Sequence, residues 1–321
     1  MSKKLLLASV TFLVTLGFIL APSWGAEKVR LATHFKVNPH YGLPAWAAMD
    51  QGYWRQMGLK VEWTPFRSSK DMLRGVLTRD IDMGTFGVIA LVRVVSRGAP
   101  LVAVGDSGST SNFYFWVLTD SPLKKPQDLK GTKIGVTRLG GSSHTYAQAV
   151  IKALGLEGQV KFHALGGGMA SMAGLRSGAI DVTNLSDFSM AALKVRGIVR
   201  ELVTLNDYLP KGLATQIIFS RKDFLSSNPD SVRKIVAGWN KGAEFVMNNK
   251  KWAIEKMKEG RLSSYNDEGA LAAYRLLRYD DRGKIAIVKI QNARKFLINY
   301  GLLAKDKAAP LEAYYAKGYA K

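Results

Sequence analysis

One stretch of this chain has an echo further along it. Leu73-Arg74-Gly75-Val76-Leu77-Thr78-Arg79-Asp80-Ile81-Asp82-Met83 resembles Met172-Ala173-Gly174-Leu175-Arg176-Ser177-Gly178-Ala179-Ile180-Asp181-Val182. Both copies read as a helix, a tight turn and a strand that opens Ile-Asp-apolar. A single supersecondary unit used once in each half points to an α/β chain with two lobes.

The flanking sequence carries the same alternation. Residues 29–32 read as a strand, 33–41 as a polar and aromatic loop, and 44–57 as a helix with Ala45, Ala48, Met49 and Tyr53 on one face. Residues 59–63 alternate as a strand, 68–78 read as a helix, and 88–97 as another. A strand at 101–104 runs into the loop Gly105-Asp106-Ser107-Gly108-Ser109, and 113–119 is apolar and β-prone. A second set of units starts with the strand Lys133-Ile134-Gly135-Val136, followed by Gly140-Gly141-Ser142-Ser143-His144 and a helix to residue 154. From Asn228 onward the pattern is mostly helical, with Asn228 as a candidate cap and Pro229 at the first helical position.

The first 25 residues have a different design. Lys3 and Lys4 precede an uncharged apolar run from Leu5 to Leu20, and small residues follow it. We expect residues 1–25 to be a secretory signal peptide, cut after Gly25 or one residue later. The chain has no cysteine, which excludes disulfides, a thiolate metal site, a Cys nucleophile and a lipid-bearing Cys after the leader. The expected location is therefore the periplasm. The net charge of +21 falls to about +19 without Lys3 and Lys4. The basic residues are scattered, as in Lys250-Lys251, Lys256, Lys258 and Arg261, and export argues against nucleic acid as a partner. Two readings stay open: a surface that concentrates anions, and solubility alone.

Four segments carry a family resemblance. They are Ala45 to Gly52 with Trp54 and Gly58-Leu59-Lys60-Val61-Glu62; Gly75 to Gly84; Asp128-Leu129-Lys130-Gly131-Thr132-Lys133-Ile134-Gly135-Val136; and Leu175 to Val182. In this order and spacing the chain resembles the periplasmic solute-binding proteins of ABC importers. The similarity is to the NMT1/THI5-like branch, which holds sulfonate, taurine, nitrate and thiamine-precursor binders. The resemblance implies the type II periplasmic-binding fold, an α/β architecture of two lobes joined by two hinge crossings, with a mostly helical C-terminal part. Lobe 1 would hold residues 26–118 plus 210–321 and lobe 2 residues 119–209, with crossings near Leu118-Thr119 and at 206–211. It also implies a monomer that closes on a small molecule and docks on an ABC permease with its cytoplasmic ATPase.

In open α/β sheets ligands bind beyond the carboxyl ends of the strands. That rule selects Phe35, His40 and Tyr41 after the first strand, Thr85 and Phe86 after the strand at Ile81, and Ser107 and Ser109 after the strand at Leu101. In the second half it selects Arg138, Gly140, Gly141, Ser142, Ser143 and His144, and then Asp187. The Gly140–His144 stretch stands out: its glycines admit a close approach, its serines offer hydroxyls, and a helix N-terminus follows, which favours an anion. A plain turn in which Ser142 or Ser143 caps the helix is the alternative. Phe86, Phe35 and Tyr41 could form apolar walls, or Phe86 could pack into its own lobe. Asp187 could cap its helix or meet a hydroxyl or cation of the ligand.

The four histidines, His34, His40, His144 and His163, have no metal-binding spacing, and no GxSxG, P-loop or GxGxxG fingerprint occurs. We therefore expect no metal, no cofactor and no catalysis. The thiamine-precursor synthases that share the fold by resemblance rely on a cysteine-rich motif, which this chain lacks. The expected ligand is a small anionic organic solute, sulfonate- or carboxylate-like. The alternatives are an aromatic or pyrimidine-type thiamine precursor, or a binding module that feeds a membrane sensor.

Overall fold

The structure is a computed structural model of the chain. It describes residues 27–34, 42–66, 69–210, 213, 215–259, 266–279 and 282–319. The expected signal peptide therefore lies outside the described residues.

The strands are β1 (Glu27–His34), β2 (Leu59–Phe66), β3 (Met83–Gly87), β4 (Leu101–Thr110), β5 (Phe113–Leu118), β6 (Lys133–Val136), β7 (Lys161–Ala164), β8 (Val182–Ser186), β9 (Val199–Thr204) and β10 (Thr215–Arg221). The helices are α1 (Leu43–Asp50), α2 (Tyr53–Gln56), α3 (Ser69–Leu77), α4 (Val88–Val95), α5 (Ser142–Ala153), α6 (Gly168–Arg176), α7 (Asp187–Val195), α8 (Lys222–Ser227), α9 (Pro229–Asn248), α10 (Lys250–Lys258), α11 (Asp267–Arg275) and α12 (Ile287–Asn299). The strands form two five-stranded sheets, ordered β2-β1-β3-β10-β4 and β7-β6-β8-β5-β9. In each sheet the first three strands run parallel and the fourth is antiparallel to its neighbours. The chain leaves each sheet at an edge strand, β4 or β9, and enters the other as its antiparallel strand, β5 or β10.

The repeated segment is the same device in both sheets. Asp82 N–H donates to Arg30 O at 2.9 Å, and Asp82 Oδ2 accepts from Arg30 N–H at 2.9 Å. Asp181 repeats this on Lys133, at 2.9 Å and 2.8 Å. The aspartate thus clips its strand to the start of the neighbouring one. The glycine six residues earlier makes room for the isoleucine: a Cβ on Gly75 would come 2.7 Å from Ile81 Cδ1, and one on Gly174 3.1 Å from Ile180 Cγ1. The turn between them needs a left-handed residue, which is Gly178 (φ 70°) in one copy and Arg79 (φ 64°) in the other. Replacing Arg79 with Gly is expected to stabilise the fold by about 0.5–1 kcal/mol, because only glycine adopts this conformation without Cβ strain. The midpoint of urea unfolding measures this. The ion pair forfeited, Arg79 to Asp223 at 3.6 Å, is exposed and contributes little.

Three expectations change. The first crossing falls between β4 and β5, ahead of Leu118-Thr119, because Phe113–Leu118 pairs with β8 and β9 of the second sheet. The helix expected over 44–57 is two helices, broken at Gly52 (φ 67°). Asn228 makes no side-chain cap on α9; its Nδ2 donates back to Phe224 O at 3.3 Å. The second crossing connects β9, which ends at Thr204, to β10, which starts at Thr215.

The C-terminal helices pack on both halves. α9 lies against α1 and β4, α12 against α4, and α11 against α7 beside the second sheet. One apolar cluster runs from Ile217 and Phe219 of β10 to Ile134 and Val136 of β6. Tyr146 of α5 sits within it, 6.4 Å from the Phe296 ring of α12, and its hydroxyl donates to Leu213 O in the second crossing at 2.8 Å.

Candidate functional site

The carboxyl end of β3 in the first sheet faces the start of α5, the helix that follows β6 of the second. β3 supplies the first wall. Its residues alternate between the two faces of the sheet, so Thr85 and Gly87 share one face and Phe86 points to the other. Thr85 is fully buried, and among the described residues its Oγ1 has no hydrogen-bond partner. A Cβ built on Gly87 would lie 3.8 Å from Gln216 Nε2 and 3.9 Å from Ser142 Oγ. The Thr85 face of the first sheet therefore looks across at the N-terminus of α5 on the second.

Phe86 does the opposite job. Its ring stacks on Phe219 with centroids 4.3 Å apart, inside the core, so it is not a free apolar wall. Ser107 does not lie in a loop either. Pairing with β10 extends β4 to Thr110, so Ser107 is a buried strand residue whose hydroxyl donates to Gln216 O at 3.0 Å. Ser109 also falls within β4. Phe35, His40 and Tyr41 lie outside the described residues.

The Gly-Gly-Ser-Ser-His turn is braced from several sides. Gly140 adopts φ 75°, and its N–H donates to His144 Nδ1 at 3.0 Å. Arg93 of α4 reaches over from the first half: its Nη1 donates to Gly140 O at 2.9 Å and to Thr145 Oγ1 at 3.2 Å. The Ser143 hydroxyl accepts from Thr137 N–H at 3.0 Å and pairs with Thr137 Oγ1 at 2.7 Å, which shapes the loop. Gly141 is the N-cap of α5, and no side chain caps that helix. Ser142 is half-buried and faces Gly87, whereas Arg138 is exposed and contributes its carbonyl to the turn. Burial, followed by the charge of Arg93, holds the His144 imidazole below its ordinary pKa. Its ring meets Phe162 edge-on at 4.7 Å.

Asp187 opens α7 at the end of β8. Its Oδ1 accepts from Phe188 N–H at 2.8 Å, and its Oδ2 from Asn112 N–H at 3.3 Å. Desolvation raises its pKa to about 6 despite these bonds. Three residues went unselected in the sequence: Arg93, Gln216 and Asn184. Gln216 and Asn184 do leave a trace, as the single amides of β10 and β8; Asn184 is fully buried, and among the described residues both its side-chain polar atoms lack partners. Among the described residues no three His, Asp or Glu side chains gather to hold a metal ion. A groove of roughly 520 Å³ near Val102, Lys222, Arg233 and Tyr319 lies at the opposite, amino end of the first sheet.

The sequence profile described as NMT1/THI5 like matches residues 40–253. A Brucella abortus (strain 2308) protein bearing a binding-protein name is 24% identical over 255 residues, 76% of either chain. The taurine-binding periplasmic protein of Escherichia coli (strain K12) is 24% identical over 225 residues, 70% of this chain and 67% of that one. A relative from Aspergillus parasiticus, 23% identical over 72% of this chain and 70% of its own, is named 4-amino-5-hydroxymethyl-2-methylpyrimidine phosphate synthase. Among solved structures, the periplasmic aliphatic sulphonate binding protein SsuA of Escherichia coli superposes with a TM-score of 0.74 at 17% identity, covering 92% of this chain and 94% of that one. The fold is thus that of the periplasmic binding proteins.

Proposed function

Because the chain belongs to the NMT1/THI5-like family, we propose that it is the extracytoplasmic solute-binding component of an ABC importer, holding a small anionic organic solute between its two sheets. The observation that carries this reading is the Thr85 hydroxyl. It is buried without a partner on the strand face that looks across at Ser142. A buried, unpaired hydroxyl costs about 1–3 kcal/mol, a cost that a bound acceptor would remove. Opposite it, the uncapped N-terminus of α5 favours negative charge. The relatives' names add sulfonate and taurine as the ligand chemistry.

The site reads as a clamp. Thr85 and Gln216 belong to one jaw and Ser142 to the other, and Arg93 bridges them at the edge. A permease in the inner membrane and its ATPase are the partners this role requires, and the periplasm is its place. The pyrimidine alternative is weaker, since Phe86, one of its aromatic walls, is committed to Phe219. The synthase name of one relative does not transfer, as a cysteine-rich motif has no counterpart in a chain without cysteine.

Calorimetry with taurine, an alkanesulfonate, nitrate, a dicarboxylate and a pyrimidine tests the reading. Heat is expected from a sulfonate or carboxylate; binding of neutral or cationic compounds alone overturns the anion assignment. Gly87→Leu is the matching variant. Gly87 has φ −63°, which any residue adopts, but a leucine would extend into the space before Ser142. Affinity is expected to fall at least about tenfold, because the side chain takes up space the ligand needs, with the melting temperature little changed.

A further inference from the structure

The two crossings are tied to each other and to α7 by a short chain of polar contacts. Asn112, between β4 and β5, accepts from Asp187 N–H through its backbone carbonyl at 2.9 Å. Its own N–H donates to the Asp187 carboxylate at 3.3 Å. Its side-chain oxygen accepts from Nδ2 of Asn206, in the short turn Leu205–Asp207 of the second crossing. The carboxylate that joins this cluster is almost wholly buried. Phe188, the next residue, shares one apolar cluster with Ala191, with Leu43 and Ala47 of α1 in the first half, and with Ala270 and Ala273 of α11.

On the two-lobed reading above, we propose that Asp187 couples closure of the clamp to proton uptake, so that the closed form gains population as the pH falls from 7.5 to 5. Separating the halves lifts α1 away from the first turn of α7 and lets water reach the carboxylate. The closed form, in which burial outweighs the amide bonds, binds the proton more tightly. The sign follows from linkage: the state with the higher pKa is favoured by acid. With an ordinary value of about 3.8 when hydrated and about 6 when closed, the closed-to-open ratio is expected to rise about tenfold between pH 7.5 and pH 5.

Other charged groups flank Asp187 on the crossing side. Glu201 of β9, paired with Lys194, raises the Asp187 pKa further. The Tyr114 phenol of β5, raised to about 12 by burial and then by the charges of Glu201, Asp187 and Asp207, stays neutral throughout. The faces of α1 and α11 against α7 are apolar. His144 lies on the same half as Asp187, beside Arg93 of the first half, and burial followed by the Arg93 charge lowers its pKa, so it works with the opposite sign.

Because the chain has no cysteine, Leu77→Cys and Met169→Cys, at exposed positions on α3 and α6, place one fluorophore on each half. Single-molecule energy transfer on the ligand-free protein then counts closed and open molecules at each pH. His144 acts alike in the wild type and in Asp187→Asn, so between pH 7.5 and pH 5 the wild type is expected to gain about tenfold more closed population than Asp187→Asn measured in the same labelled chain. Glu201→Gln is expected to move the midpoint to lower pH, which a merely structural Asp187 would not do. An Asp187→Asn chain that titrates like the wild type would overturn the proton coupling alone. One unchanging distance in every chain would overturn both the coupling and the clamp on which it rests.

Discussion

Asp82→Ala is expected to cost about 3 kcal/mol or more of folding stability, read as a shift in the urea midpoint at constant slope. The carboxylate is almost fully buried and serves two cations at once. Arg30 donates to it from Nε at 3.0 Å and Nη2 at 2.7 Å, and Arg221 from Nη1 at 3.2 Å. It also holds the Arg30 backbone N–H. Removing it leaves the buried Arg221 guanidinium with Asp223 and two carbonyls as its partners among the described residues, and frees the clip between β1 and β3. The matching Asp181→Ala in the second copy loses the Lys133 N–H bond but strands no buried cation, so about 1–2 kcal/mol is expected. Equal losses in the two variants would show that the cation pair contributes nothing beyond the shared backbone clip.

Thr85→Val is expected to move stability and binding in opposite directions. Valine has the shape of threonine without the hydroxyl, so the substitution removes a buried polar atom that has no partner in the ligand-free chain. The melting temperature is expected to rise, corresponding to about 1 kcal/mol. Affinity for whichever anion the wild type binds is expected to fall about tenfold or more, because that hydroxyl is the donor the first sheet presents to it. A variant that loses stability would mean the hydroxyl has a structural partner. One that binds as tightly as the wild type would remove Thr85 from the site.

Much of the architecture is readable from local pattern. The repeated Gly-(five residues)-Ile-Asp segment announced a unit used twice, and the reason is stereochemical: the glycine admits the isoleucine and the aspartate clips the next strand. These contacts span few residues or adjacent strands, so residue type and spacing report them. The position of Thr85 at a strand's carboxyl end was equally legible. Its lack of a partner was not, since that depends on which atoms the rest of the fold brings near. Phe86 and Ser107 show the limit from the other side. A strand end and a loop look alike in sequence, and only pairing with β10 extended β4 and placed Phe219 under Phe86.

By itself, then, the order of residues along the chain determined an α/β protein with two related halves, the turns at Gly178 and Gly140, and the serine-bearing helix start after the Lys133 strand. Those features follow from backbone stereochemistry and from apolar spacing, which act over one or two turns of chain. The tertiary structure decided the rest. It assigned β5 to the second sheet, laid α11 against α7, set Arg93 on the Gly140 turn, and joined Asp187 to both crossings through Asn112. Each of those contacts links residues far apart in sequence, and which partners meet depends on how whole sheets and helices bury their apolar faces together.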